Sequence, residues 1–416
     1  MQYRNFPARC TDEGPDPQTR SWMISRFNGF LQPVPPADRL GAIAAAWQYE
    51  RRTLHAIYDL SPRPDAALDP EIPVATLATF EAGLDAAGPA DIPCTLIADV
   101  TVRPTHQGWG LMRRLMRAVA TDAFNAGVPL MALHAAHPAL YARFGFAPAI
   151  RSMSVELDCS RFSLRSRPAG TVHDVDPRRA DDMARIVATS SGPFSFGALG
   201  LTDPPAGHAP RDVGDADRCL IHADEGGKID GVLTYAFQGW TPQAQVLEVR
   251  SETYATTDAH AALWQTVAST GIATTVSATD VRLDDPLPWM LTDRAAWRVT
   301  GLTDGLSLRI LDPARALKLR GYTGPASELA IEVIDQTGTA AGKWLVRASD
   351  SHAHVDTTSR PADVTLDAKE LAAIFLGSTR TITLLEAGLV TASRAAAHAL
   401  DALLQRPVEA SSSLHF

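Results

Sequence analysis

Between residues 94 and 146 the apolar positions change period, and the change predicts a strand, a turn, a helix, a second strand and a short helix. Cys94–Val102 (CTLIADVTV) is β-branched and largely apolar and stops at Pro104, which predicts a strand. Over Leu111–Ala126 the apolar residues recur at helical spacing. Leu111, Leu115 and Val119 share one face, Met112, Met116 and Ala120 lie beside it, and Gly127 stands where a helix-ending glycine would. Pro129–His134 then predicts a short strand and Pro138–Phe144 a short helix leading to Gly145. Upstream, Ala37–Arg51 reads as a helix after the Pro33/Pro35/Pro36 cluster, with strands at Thr53–Leu60 and Val74–Glu81. The order is that of an α/β unit.

The middle third repeats the order in weaker form. Strands are expected at Cys219–Ala223, Gly231–Phe237 and Val246–Tyr254, then a helix at Asp258–Thr270 and a strand at Thr274–Thr279. Where the first unit has a glycine turn, this one has Ala255-Thr256-Thr257, so it lacks a phosphate cradle. Ser190–Gly214, rich in Gly and Pro, reads as a long surface loop. A further junction at 286–305 precedes a strand at Leu306–Leu311, a helix at Pro313–Leu319 and a hairpin of Leu329–Asp335 with Lys343–Ala348. Helices at 367–376 and 391–404 follow. The division expected is 1–155, 156–298 and 299–416, three domains for a chain of 416 residues.

Composition narrows the function classes. Thirty-eight Lys and Arg against 47 Asp and Glu give a net charge of −9, which argues against a nucleic-acid binder. The four cysteines, Cys10, Cys94, Cys159 and Cys219, form no C-x-x-C pair, which offers neither a zinc module nor a disulfide framework and suggests a reducing, cytoplasmic compartment. No metal is expected, since His352 and His354 have no third ligand nearby. Neither a signal-peptide core nor a run long enough to span a membrane is apparent.

The chemistry concentrates in VTVRPTHQGWGLMRR, residues 100–114. A strand running through two glycines straight into a helix aims the amides of residues 107–112 outward, a natural anion site. Gly108 and Gly110 remove the Cβ atoms that would hold a pyrophosphate away. Two glycines also suffice for a tight strand–helix turn with no ligand at all. Downstream, Tyr141-Ala142-Arg143-Phe144-Gly145-Phe146 supplies a phenol that is protonated at neutral pH.

Together the two segments resemble the GNAT acetyltransferases. Gln107-Gly108-Trp109-Gly110-Leu111-Met112 matches the glutamine and the first glycine of their Q/R-x-x-G-x-G/A loop, and Met112 departs from its last position. A narrower resemblance, to the Eis family of aminoglycoside and amine N-acetyltransferases, rests on VTVRPTHQGWG (100–110), ALHAAHPALYARFGFAPA (132–149), DDPLPWMLTD (284–293), GLSLRILDPARALKLRGY (305–322), LGSTRTITLLEAGLV (376–390) and the terminal Phe416. That resemblance implies an α/β (α+β) architecture of tandem GNAT domains followed by a sterol-carrier-protein-like domain, assembled as a homohexamer. It implies acetyl-CoA as co-substrate and primary amines of polycationic small molecules as acceptors, without nucleic acid or membrane.

The resemblance also assigns roles. Coenzyme A is expected on Val100, Thr101 and Val102, on Gln107, Gly108, Trp109, Gly110, Leu111, Met112 and Arg113, and on Ala136 and His137. Tyr141 is expected to protonate the leaving thiolate, and the Phe416 carboxylate to receive or orient the amine proton, with water as the alternative base. Two other outcomes stay open at this point: a coenzyme A- or lipid-binding assembly module, and a protein-lysine acetyltransferase.

Overall fold

In the computed structural model the strand-forming segments gather into three large sheets and one small two-stranded ribbon. It describes every residue except 63, 136, 189–195, 203–216, 241–244, 337, 350, 413, 415 and 416. The first sheet contains β1 (Gln2–Pro7), β2 (Thr53–Tyr58), β3 (Ala75–Leu84), β4 (Ile92–Val102), β5 (Leu130–His134), β6 (Ala147–Pro148) and β7 (Leu306–Ile310). Their order is β1-β2-β3-β4-β5-β7-β6, and Leu199–Leu201 adds antiparallel to β3. Thus part of the segment expected to be a loop is a strand, while most of 190–214 lies outside the described residues.

Only β4 and β5 pair in parallel within this sheet, so a crossover must join them, and α3 (Leu111–Asn125) is that crossover. It covers one face with Leu111, Leu115, Met116, Val119, Ala120 and Ala123, all buried as the spacing predicts. The opposite face is covered by α1 (Pro17–Gly29) and α2 (Ala37–Tyr49), through Trp22, Met23, Phe27, Leu40 and Trp47. The sequence reading had no α1, although its signal was present: Asp16 accepts a hydrogen bond from the Thr19 amide and Pro17 opens the helix.

The second sheet orders its strands as 171–175, 217–223, 229–240, 245–254, 275–282, 151–158 and 297–304. It repeats the motif of the first, with a parallel pair of 246–249 and 275–278 joined by helix α5 (Thr257–Ala268). The third sheet runs 352–357, 342–349, 327–334, 364–367 and 390–392, and contains the expected hairpin.

The expected boundaries at 155/156 and 298/299 both fall inside strands of the second sheet. The strand expected to open the last domain, β7, lies instead in the first sheet. Its placement has a physical cause. Strand 297–304 runs antiparallel to 151–158 with Asp304 opposite Arg151, so the chain returns beside the point where it left. The Gly305 amide donates to the Ile150 carbonyl at 2.9 Å. From there β7, buried at all five positions, slots between β5 and β6. The first and third sheets also share one apolar core, with Leu306, Leu308 and Ile310 at the centre and Leu371 and Phe375 beyond.

Candidate active site

The parallel ladder between β4 and β5 ends at Ile97 and Leu133, yet β4 continues to Val102 against β3 alone. The cause is a bulge. Asp99 adopts φ 54°, and the β3–β4 register shifts there. Past the bulge the β5-facing backbone of 98–102 is outside that ladder. Thr101 is buried, its hydroxyl 2.7 Å from that of Thr76, so this position offers a ligand its backbone rather than its side chain. Val100 and Val102 rest on the same apolar cluster as Leu111 and Leu115.

Beyond β4, Pro104–His106 makes a single tight turn and Gln107–Gly110 lead into α3. Gly108 and Gly110 have φ 80° and 74°, and an added Cβ on either would meet nothing within 4 Å. The glycines are therefore required by backbone conformation, and the space beside them is open. No side chain caps α3, no acid stands in its first turn, and Arg113 is exposed there, so the helix start favours an anion. The Trp109 ring is exposed and leans on His106, which lies 3.2 Å from the Asp59 carboxylate. Gln107 turns its amide toward the Val102 carbonyl at 3.5 Å. Met112 packs against the core cluster, which accounts for an apolar side chain at the departing position.

The corresponding helix of the second domain, α5, starts differently. Thr256 accepts from the Ala259 amide and Asp258 stands in the first turn, so its amide is already paired and a carboxylate faces any anion. One helix start is suited to phosphate and the other is not.

Tyr141 lies on α4 (Pro138–Ala142), half-buried against the α3 cluster, with its ring edge-on to Phe146 at 6.4 Å. Burial pushes its phenol above the ordinary range, so it remains a proton donor. His137 is exposed at the start of α4. Ala136 and Phe416 lie outside the described residues, as does His415.

The chain just before Phe416 is well placed. The Glu409 amide donates to Asp284, the Ser411 amide to the Phe196 carbonyl, and His134 Nε2 donates to the Leu414 carbonyl at 3.0 Å. The tail thus crosses the second domain and reaches the C-terminal end of β5. The sequence places His134 only at the end of the Pro129–His134 strand; nothing local to it signals a partner 280 residues away.

Sequence reasoning also missed Asp99. It bonds Arg26 Nε at 2.8 Å and Arg52 Nη1 at 3.1 Å, and forms the floor of a cleft of about 650 Å³ between α1 and α2. The cleft therefore borders the free end of β4 on the face opposite α3.

Comparison with known proteins identifies the domains. An acetyltransferase (GNAT) domain matches residues 36–149, a second GNAT domain 202–310, and a sterol carrier protein domain 313–411. These are two acetyltransferase folds and a carrier-like fold in series. An uncharacterized N-acetyltransferase of Streptomyces griseus is 31% identical over 399 residues, covering 91% of this chain and 92% of its own. The N-acetyltransferase Eis of Mycobacterium tuberculosis is 27% identical over 347 residues, 79% of this chain and 82% of that one. Eis1 from Mycobacterium abscessus superposes with a TM-score of 0.79 at 20% identity, each chain fully covered. The chain belongs to the Eis-like family of GNAT N-acetyltransferases. It is an acyltransferase.

Proposed function

We propose that the first domain transfers the acetyl group of acetyl-CoA directly to a primary amine of a small molecule. The observation that carries this reading is the joint arrangement of the splayed β4, the uncapped glycine start of α3 and Tyr141 on one apolar cluster. The backbone of Val100, Thr101 and Val102 would hold the pantetheine amides as an added strand does. The amides of Gln107 to Arg113 would hold the pyrophosphate, with Ala136 and His137 at the border. Bound there, acetyl-CoA supplies an activated thioester.

Tyr141 donates its proton to the departing sulfur, a role for which its raised pKa keeps it in the right state. The Phe416 carboxylate orients the acceptor amine and takes its proton directly or through water. The route of the tail to His134 supports that role. Aminoglycoside-like polyamines are the acceptor class that the family resemblance brings to this chain, as it does a homohexameric assembly.

The test is thiol release from acetyl-CoA with kanamycin and with simple primary amines. Turnover by the wild-type protein that is lost on Tyr141→Phe and on deletion of Phe416 is expected. Full activity in the doubly altered protein would overturn the assignment of roles. Light scattering on the full chain tests the hexamer.

A further inference from the structure

In the β3–β4 ladder Ala78 faces Ala98 and Thr76 faces Thr101, so Asp99 and Val100 together stand opposite Leu77 alone. This is a bulge with one extra residue in β4. Its first position, Asp99, has φ 54°, the left-handed conformation that such a position ordinarily gives to glycine. The extra residue also reverses the faces of the strand. Before it, Leu96 and Ala98 pack with α1 and α2, and Ile97 packs with α3. After it, Val100 and Val102 pack with α3, and Thr101 turns to the α1 side. That alternation needs a bulge close to residue 99 but does not by itself fix it there.

Contacts from α1 and from the residue before β2 do fix it. Arg26 Nε donates to one oxygen of the Asp99 carboxylate at 2.8 Å, and Arg52 Nη1 to the other at 3.1 Å. The Asp99 side chain is 9% exposed and that of Arg52 7%, so little water screens the pair. The Thr76 hydroxyl donates to the Asp99 carbonyl at 3.1 Å. Further along α1, a Cβ on Gly29 would lie 2.4 Å from the Thr101 Cβ, so the end of this helix rests directly on β4. Neither arginine depends on Asp99 alone. Arg52 also holds Glu50 at 2.5 Å, and Arg26 also donates to the Gln32 side-chain oxygen at 3.0 Å. Removing the Asp99 carboxylate would thus release the bulge without leaving a guanidinium alone.

We propose that Asp99, gripped by Arg26 and Arg52, is a positioning residue for coenzyme A. The grip holds residue 99 in a conformation that a side chain disfavours, and so pins the bulge where β4 leaves β5. With the bulge pinned, the backbone of residues 100–102 stays open to the pantetheine arm, which rests on the acetyl-transfer reading above. The phosphates, held at the start of α3, take no part in the grip.

The test separates a conformational role from a simple loss of ion pairs. Asp99→Ala and Asp99→Gly remove the same carboxylate, but only alanine disfavours the left-handed conformation. Dissociation constants are measured by titration calorimetry on the full-length protein, for coenzyme A and for 3′-phosphoadenosine 5′-diphosphate, which lacks the pantetheine arm. Asp99→Ala is expected to bind coenzyme A about tenfold more weakly than wild type, and Asp99→Gly within about threefold, with the diphosphate unchanged in both. Arg26→Gln leaves Asp99 to Arg52 alone and should weaken coenzyme A about threefold, again without touching the diphosphate. It carries the test if the variants at position 99 do not fold. In crystal structures without ligand, residue 99 is expected to leave the left-handed region in Asp99→Ala and to keep it in wild type.

Equal affinities of the alanine and glycine variants for coenzyme A, an equal loss for coenzyme A and the diphosphate, or a residue 99 that stays left-handed in Asp99→Ala overturns the inference. Thiol release is followed in parallel. If the wild type binds coenzyme A but releases no thiol with any amine, the acetyl-transfer reading fails, while the order of affinities still decides the role of Asp99. A wild type that does not bind coenzyme A overturns both.

Discussion

At the residue scale, protonation states decide what the side chains do. Burial raises the Tyr141 phenol, so the hydroxyl keeps its proton through the alkaline range where acceptor amines lose theirs. Tyr141→Phe should therefore lower kcat by about 100-fold with the KM for acetyl-CoA nearly unchanged. The wild-type kcat, followed from pH 7 to 10, should show no alkaline fall due to this residue. A Tyr141→Phe protein within threefold of wild type would remove the tyrosine from the mechanism. Two buried histidines set the pH range of the fold with opposite signs. Burial lowers His55 from 6.5 to about 4, between the Tyr3 and Thr79 hydroxyls. Its contribution is complete above 6.5 and is lost as pH falls toward 4, because the unfolded chain binds the proton first. For His260 burial acts downward too, but the carboxylates of Glu252 and Asp285 outweigh it and raise the group to about 10. Its contribution is complete below 6.5 and is lost as pH rises toward 10. Thermal unfolding followed across pH 4 to 10 should peak near 6.5. His260→Gln should flatten the alkaline side and His55→Gln the acid side. Tyr141 was legible in the sequence because its motif is local. His55, His260 and Asp99 were not, because their states are set by partners from distant segments.

At the element scale, two helices with the same place in two similar folds differ in how they begin. Helix α3 starts at Gly110 in a left-handed conformation with nothing against it, so an alanine there costs about 1–2 kcal/mol in backbone strain rather than in collision. Relief of that strain would turn the first amides away from the anion. Gly110→Ala is therefore expected to raise the KM for acetyl-CoA several-fold, and Gly110→Asn to raise it less, since asparagine tolerates this conformation. Helix α5 gives the control. Thr256→Ala removes its cap and should cost about 1 kcal/mol of stability, with the KM for acetyl-CoA unchanged. An unchanged KM in Gly110→Ala would count against the loop as a phosphate cradle. This contrast was visible in the sequence, as G-W-G against A-T-T, because both signals sit within a few residues of the helix start. The splay of β4 was not visible, since it depends on a bulge whose Asp99 is held by arginines from α1 and from the start of β2.

At the scale of the whole molecule, the first domain is not a contiguous piece of chain. Periodicity located a strand at 306–311 correctly but carries no information about which sheet receives it. That depends on the return of the second domain to its own starting point, with Gly305 bonded to Ile150. The junction with the third domain is equally tight. A Cβ on Gly321 would lie 1.8 Å from the Ala87 carbonyl oxygen, and one on Gly88 would lie 1.9 Å from that of Leu319. Residues 1–155 alone would leave β5 without its neighbour β7 and would open the core shared with Leu371 and Phe375. That fragment is expected to aggregate, or to lack a cooperative thermal transition by circular dichroism. A chain in which 151–304 is replaced by a short glycine turn joining Ile150 to Gly305 loses the Leu199–Leu201 strand and Phe196 but keeps β1 to β7 and the rest of the shared core, and should fold cooperatively. It should nonetheless be inactive, because Asp284 and Phe196, which carry the tail toward His134, are gone. If instead the 1–155 fragment folds stably and transfers acetyl groups by itself, neither β7 nor the tail is part of the catalytic unit. If the shortened chain is fully active, the tail reaches the site without its two supports, and the second domain must serve some other purpose than guiding it.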